Sequence, residues 1–266
     1  MAVRLIQVDS FAEAPFAGNP AAVCLLAGPA EEGWMQAVAA EMNLAATAFV
    51  EARPGSREEG EFGLRWFTPK VELTLCGHGT LAAAHVLWEE EILSNDQVTF
   101  HTLAGPLAAR RESPWIHLDF PAEREHPDLQ ISEQLTASLG VTPAYVGKNR
   151  LDYLAELESE EMVRALAPDR GLLSTLPTRG VIVTARGSGE YDFVSRYFAP
   201  AIGIDEDQVT GSAHCCLGPF WGSRLGKDEL LAYQASPRGG VVRVRLAGDR
   251  VQLGGRAATV FRGELV

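Results

Sequence analysis

Two short runs carry the residue types that proton chemistry requires: Cys76-Gly77-His78-Gly79-Thr80 and Asp207-Gln208-Val209-Thr210-Gly211-Ser212. His78 has an unperturbed pKa near ~6.5, so it can exchange protons close to neutrality; its other reading is a hydrogen bond to a ligand or to its own turn. Asp207 acts as a base only if burial raises its pKa; the plainer reading is an N-cap or loop carboxylate. Ser212 reads as a hydrogen-bond donor or cap rather than a nucleophile, because no Ser–His–acid arrangement follows from the sequence. Cys76 suits thiolate activation at a helix start, or simply a buried core position.

Each run contains a Gly-X-small turn that opens an apolar helix. Helix starts leave backbone N–H groups unsatisfied and carry partial positive charge, which suits carboxylates and oxyanions. Gly77, Gly79 and Gly211 are therefore candidate ligand-binding positions, with tight strand-to-helix turns as the alternative. "GHGTLA" lacks the third glycine of a dinucleotide fingerprint, and no Gly-Lys-Ser/Thr is present. Arg238, in Ser-Pro-Arg-Gly-Gly, either binds a carboxylate or sits in a hairpin turn. Asn19, in Gly-Asn-Pro, organises a turn or contacts a ligand directly.

The elements around these runs repeat. "RWFTPKVELTLCGHGT" (65–80) and "RYFAPAIGIDEDQVTGSAH" (196–214) both begin Arg-aromatic-Phe-small-Pro and end in the helix-opening turn; Arg65 and Arg196 stand 131 residues apart. Self-similarity at half the chain length suggests a duplication into two pseudo-equivalent lobes. Strands are expected at "VRLIQVDSF" and "AAVCLLAG", separated by a turn at 18–20, then a helix over 31–42 with Trp34, Val38 and Met42 inward. Strands "TAFVEA" and "FGLRWFTP" precede a helix from His78 to about Glu90, with Leu81, Ala84 and Trp88 inward. "QVTFHT", "GPLAARRE" and "WIHLDFP" form a meander. The acidic "PAEREHPDLQ" reads as a linker. Helices at 131–140, 159–167 and 213–225 alternate with "DYLAELES", "GVIVTARG", "YDFVSRYFAP" and four closing strands. The interleaving without regular βαβ alternation indicates α/β or α+β with largely antiparallel sheets.

Bulk properties narrow the partners. The chain has 266 residues, 46% of them hydrophobic, and a net charge of −12 with no Lys/Arg run. Such a balance disfavours nucleic acid and anionic membranes, while a locally positive site can still take an anionic small molecule. No apolar run reaches membrane-spanning length, and the opening residues, with Asp9, lack a signal-peptide pattern. The four cysteines form neither CxxC nor a Cys/His array, so no metal site and a reduced, cytoplasmic chain are expected.

Through these segments, together with "VDSFAEAPFAGNPAAVCLL", "EMNLAATAFV", "ASPRGG" and "TVFRGEL", nearly the whole chain resembles the phenazine-biosynthesis PhzF-like isomerase family. That family is related to diaminopimelate epimerase and proline racemase, and its animal phenazine-biosynthesis-like domain proteins are especially similar. The resemblance implies an α+β, diaminopimelate-epimerase-like fold of two pseudo-symmetric lobes, each a curved sheet around a central helix. It puts the lobes at 1–120, joined by the final strand at about 256–266, and at 121–255, with a cleft between. It implies cofactor-independent proton transfer on a small carboxylate-bearing metabolite, and a homodimer. By matching position, His78, Asp207 and Ser212 are the expected catalytic residues. Where the family usually writes Asn-Leu-Ser-Glu-Thr, this chain has Asn43-Leu44-Ala45-Ala46-Thr47. The resemblance therefore makes Ala46 the vacant place of the carboxylate that takes and returns the proton. Gln208 for Pro and Gly79 for Ala are smaller departures. A catalytically silent binding or regulatory protein is the alternative expectation.

Overall fold

A computed structural model describes residues 2–52, 55–127 and 133–266. The chain folds as two compact units, Met1–Asp119 with Gly254–Val266, and Phe120–Leu253. The first runs β1 (Val3–Ser10), β2 (Asn19–Leu26), α1 (Glu32–Met42), β3 (Ala46–Ala52), α2 (Ser56–Glu59), β4 (Glu61–Phe67), β5 (Glu72–Leu73), α3 (Gly77–Glu89), β6 (Gln97–Thr102), β7 (Gly105–Glu112) and β8 (Trp115–Pro121). The second runs β9 (His126–Pro127), α4 (Glu133–Leu139), β10 (Tyr145–Lys148), β11 (Asp152–Glu156), α5 (Glu160–Ala165), α6 (Arg170–Leu173), β12 (Gly180–Arg186), β13 (Phe193–Ala199), a 3-10 turn at Pro200–Ile202, β14 (Ile204–Asp207), α7 (Gly211–Leu225), β15 (Glu229–Gln234), β16 (Gly240–Ala247) and β17 (Arg250–Gly255). The last strand, β18 (Ala257–Leu265), pairs antiparallel with β1.

The pairings repeat between the units. In the first, β1–β2 is antiparallel, β2–β3 parallel, β3–β4 and β4–β5 antiparallel, and β4–β6 parallel. In the second, β10–β11, β11–β12, β12–β13, β13–β14 and β13–β15 follow the same sequence of senses. The sheets are thus mixed, with antiparallel pairs in the majority as expected and two parallel pairings set into each unit. Helices α1 and α3 carry the chain back across the first sheet, which forces parallel pairing.

Parity along the strands sorts the first unit's core. One face of the sheet puts Leu5, Cys24, Phe49 and Phe67 against Met35 and Ala39 of α1. On the other face, α3 packs chiefly on β1, β2 and β3. Helix α3 is buried nearly all round, from His78 to Ala84 and again from Val86 to Trp88, as a helix lacking a polar stripe must be. In the second unit α7 is buried likewise from Ala213 to Gly222.

Several local expectations are corrected. Trp34 is 37% exposed and touches Phe49 edge-on; Met35 and Ala39 point inward instead, with Val38 and Met42 half-buried. Asn19 and Pro20 already belong to β2, and the turn is made by Gly18 at φ 63°. Part of the expected linker pairs as β9 on β10, its residues 128–130 and the expected helix start at 131–132 lying outside the described residues. Strands β5, β10 and β14 were not legible as separate elements; they are only 2, 4 and 4 residues long, too short to show an alternating pattern.

The repeated Arg-aromatic-Phe motif has a structural use in both units. Arg65 grips Glu72 with two nitrogens and reaches Glu32 of α1. Arg196 grips Glu206 in the same way and donates to the Leu166 carbonyl after α5. Bidentate guanidinium–carboxylate pairs of this kind lock planar geometry, here fixing each short strand before the central helix.

Candidate active site

In the first unit the sheet register gathers the expected residues at one end of α3. Ser10 pairs with Asn19, Ala21 with Ala46, and Ala48 with Trp66. Partners across a sheet share a face and alternate residues return to it, so Ser10, Asn19, Ala21, Ala46, Ala48 and Trp66 all lie on the α3 side. Ala46 is fully buried there. Ser10 Oγ donates to the His78 carbonyl at 2.7 Å, tying the start of α3 to the end of β1. Cys76 is the N-cap, and its Sγ lies 3.6 Å from His78 Nδ1. This thiol–imidazole contact puts two proton-exchanging groups in reach of each other.

Gly79 is required by packing. A Cβ at that position would stand 2.8 Å from Trp66 Cδ1 and 3.1 Å from Cys76 Sγ. Helix propensity alone favours alanine over glycine by about 1 kcal/mol, whereas forcing a methyl into a filled core costs about 1–3 kcal/mol. The indole is rigid and buried, so Gly79→Ala is expected to lower the urea midpoint. A midpoint at or above that of the parent would leave Gly79 to ligand contact alone.

The second unit builds a different polar cluster on the same framework. Asp207 closes β14 and accepts from Thr210 Oγ1 at 2.7 Å, so it is a strand-end carboxylate bound to the N-cap residue rather than the cap itself. Gln234 on β15 accepts from the Thr210 amide at 2.8 Å and donates to the Asp207 carbonyl at 2.8 Å. Ser212, in the first turn of α7, accepts from Arg179 Nη2 at 3.0 Å. Arg179 forks onto buried Asp152, which also accepts from Tyr197 Oη at 3.0 Å. A guanidinium can only donate, so the single Ser212 proton is directed to something else. Burial, reinforced by the Asp152 carboxylate, pushes the Tyr197 phenol upward and keeps it a donor.

Neither Cys76 nor Thr210 caps its helix with its side chain, whereas Ser159 and Asp169 cap the short helices α5 and α6. At the fourth helical residue both central helices turn a side chain back to the N-cap carbonyl: Thr80 Oγ1 at 2.7 Å and His214 Nδ1 at 2.8 Å. A carbonyl only accepts, so Nδ1 carries the His214 proton. Burial pushes His214 down to about 4. An unfolded histidine near ~6.5 binds its proton first as pH falls. Stability is therefore full above about pH 6.5 and lost progressively down to about pH 4, by about 3 kcal/mol. Urea midpoints measured across that range should converge for the parent and His214→Asn. An equal acid loss in the variant would assign it to other groups.

Arg238 lies in the β15–β16 turn, where its amide donates to Gln208 Oε1 at 3.2 Å. The Gln208 carbonyl accepts from Ser236 Oγ. The turn reading thus has direct support, and Gln208 supplies an acceptor that proline could not. Cys216, buried in α7, is pushed up to about 12 by burial, too high for a neutral-pH base. Among the described residues no His/Cys/Asp/Glu group could hold a metal, and no helix is long and apolar enough to cross a membrane.

The model of the phenazine biosynthesis-like proteins, PhzC-PhzF, matches residues 8–263. The chain belongs to this family. It is 50% identical to a protein of Halalkalibacterium halodurans named an uncharacterized isomerase, over 100% of this chain and 99% of that one. A mouse phenazine biosynthesis-like domain-containing protein 2 is 40% identical, again over 100% of this chain and 99% of its own. The crystal structure of a PhzF-family protein from Enterococcus faecalis superposes with a TM-score of 0.95 at 40% identity, covering all of both chains. A hydroxyproline epimerase from Agrobacterium vitis shares the fold alone, with a TM-score of 0.63 at 11% identity over 99% of this chain and 92% of that one. The PhzF-like chain is thus α+β, of the diaminopimelate-epimerase-like class.

Within this PhzF-like chain, His78, Gly77, Gly79, Asn19 and Ala46 share one end of the first unit, while Asp207, Gly211, Ser212 and Arg238 belong to the second. Asp152, Arg179, Tyr197 and Trp66 were missed. The two aromatics were visible in principle, because they fill the same place in the repeated Arg-aromatic-Phe motif.

Proposed function

We propose that this protein binds a small carboxylate-bearing metabolite at a glycine-opened central-helix start, and that its isomerase chemistry is impaired by the alanine at position 46. His78, Asp207 and Ser212 are the ligand-facing groups in this reading, and no cofactor is used. The observation that carries it is the register of β3. It turns the side chain of residue 46 toward the first turn of α3, the position from which a carboxylate could lift a proton from a substrate carbon and return it to another. Alanine offers no group for that transfer. The chain then holds a ligand without moving its protons by this route, and acts as a binding or regulatory protein in the cytoplasm, as a homodimer.

A residual-activity reading has one favourable observation, the 3.6 Å contact of Cys76 with His78, which supplies an alternative acid–base pair. The two readings separate in deuterium oxide. The protein and its Ala46→Glu variant are incubated with cyclic and acyclic hydroxy- and amino-carboxylates, and binding and carbon-bound deuterium are followed together. Binding without exchange in the parent, with exchange in the variant, is expected. Exchange in both assigns catalysis to another base, and absence of binding to every such carboxylate overturns the proposal.

A further inference from the structure

We propose that the buried indole N–H of Trp66 is the hydrogen-bond donor that orients a carboxylate carried by residue 46. The chain would then retain the positioning half of an acid–base site whose carboxylate half is missing. This deepens the reading above and rests on its assignment of position 46.

Trp66 is 1% exposed, and its Nε1 has no acceptor among the described residues. Native proteins leave few buried donors unsatisfied, and each one calls for an explanation. The sheet supplies a direction. Trp66 stands opposite Ala48, so Ala46 is its diagonal neighbour on the same face; such neighbours lie within reach of aromatic and long side chains. Helix α3 packs chiefly over β1, β2 and β3. Trp66 is rooted on β4, and its same-face neighbours on β3, the strand between it and the bulk of that helix, are Ala48 and, diagonally, Ala46. The indole reaches the helix: Cδ1 and Nε1 come within 2.8 and 3.3 Å of where a Gly79 Cβ would stand. The donor edge of the ring is therefore held at the first turn of α3, above the strand that starts with Ala46.

The duplicated unit shows a related device, with its carboxylate on the neighbouring strand. Tyr197 occupies the place of Trp66 in the repeated motif. Phe67 pairs with Thr47, and its counterpart Phe198 pairs with Val181, so Gly180 is the counterpart of Ala46. The Tyr197 hydroxyl lies over Gly180, 2.4 Å from where a Cβ would be, and donates at 3.0 Å to Asp152, the strand partner of Gly180. In that unit the polar tip of the aromatic meets a carboxylate. Asp152 takes the place of Ala21 rather than of Ala46, so the comparison shows an aromatic donor at this motif position holding a carboxylate on this face; in the first unit the tip is in place and neither Ala21 nor Ala46 offers one.

The test uses the full chain labelled with nitrogen-15, whose five tryptophans give resolvable indole signals. Trp66→Phe identifies the Trp66 resonance. In Ala46→Glu that resonance is expected to move downfield and to titrate once, with the new carboxyl. In Ala46→Gln it should move without titrating, and in the parent it should do neither. Combining Trp66→Phe with Ala46→Glu should raise the pKa of the new carboxyl, read from its carbon signal, by about 1–2 units. A Trp66 signal in folded Ala46→Glu that matches the parent at every pH overturns the proposal. Should that variant not fold, an unmoved signal in Ala46→Gln does the same. Deuterium exchange is a separate readout: a titrating indole without exchange removes the catalytic reading and leaves the positioning role standing. Exchange beside an unmoved indole does the reverse.

Discussion

Ala46→Glu is expected to raise carbon–deuterium exchange of a bound carboxylate by about 10²–10⁴-fold, the range a positioned general acid–base supplies. Three placements support so large an effect from one side chain. Residue 46 faces α3 by strand parity, His78 stands in the helix's first turn, and Trp66 offers a buried donor on the same face. The position is fully buried in the parent, so a longer side chain must displace neighbours, and a reduced urea midpoint should accompany the gain. Unchanged exchange in a folded variant that still binds the ligand would mean that position 46 is not where a carboxylate serves this exchange.

Asp152→Ala is expected to be the most damaging single change in the second unit, costing about 3 kcal/mol. Removing one partner of a buried pair typically costs about 3–5 kcal/mol because the other charge is left uncompensated. Arg179 is 29% exposed while Asp152 is 1% exposed; the guanidinium can partly regain water, which favours the lower end. The loss should not be confined to stability. Arg179 also holds Ser212, so ligand affinity should fall in conditions where the variant remains folded. Asp152→Asn keeps the shape and the Tyr197 bond but loses the charge, and should lie between parent and alanine in both measurements. Equal urea midpoints for parent and Asp152→Ala would contradict the pairing.

Much of the architecture was legible because its determinants are local. The echo from Arg65 and Arg196 through the two glycine turns marks the duplication, and each arginine does meet a glutamate shortly afterwards in its own repeat. The apolar runs "GTLAAAHVLW" and "SAHCCLGPFW" are too uniformly nonpolar for surface helices, and both are buried. Trp34 misled because its helical spacing fits an inward stripe, whereas the docking angle of α1 turned Met35 and Ala39 inward. The parallel pairings escaped because strand sense depends on where the crossover helices return the chain, which alternation of side chains does not record.

The sequence by itself determined the family, the duplicated order of elements and the absence of a carboxylate at position 46, since these depend only on residue identity and spacing. Which way residue 46 points was decided by the tertiary structure, because a one-residue slip in strand register would turn it to the opposite face. The same holds for Asp152, Arg179 and Ser212. They lie far apart along the chain, and only the pairing of β11 with β12 beneath α7 turns three unremarkable polar residues into one connected group.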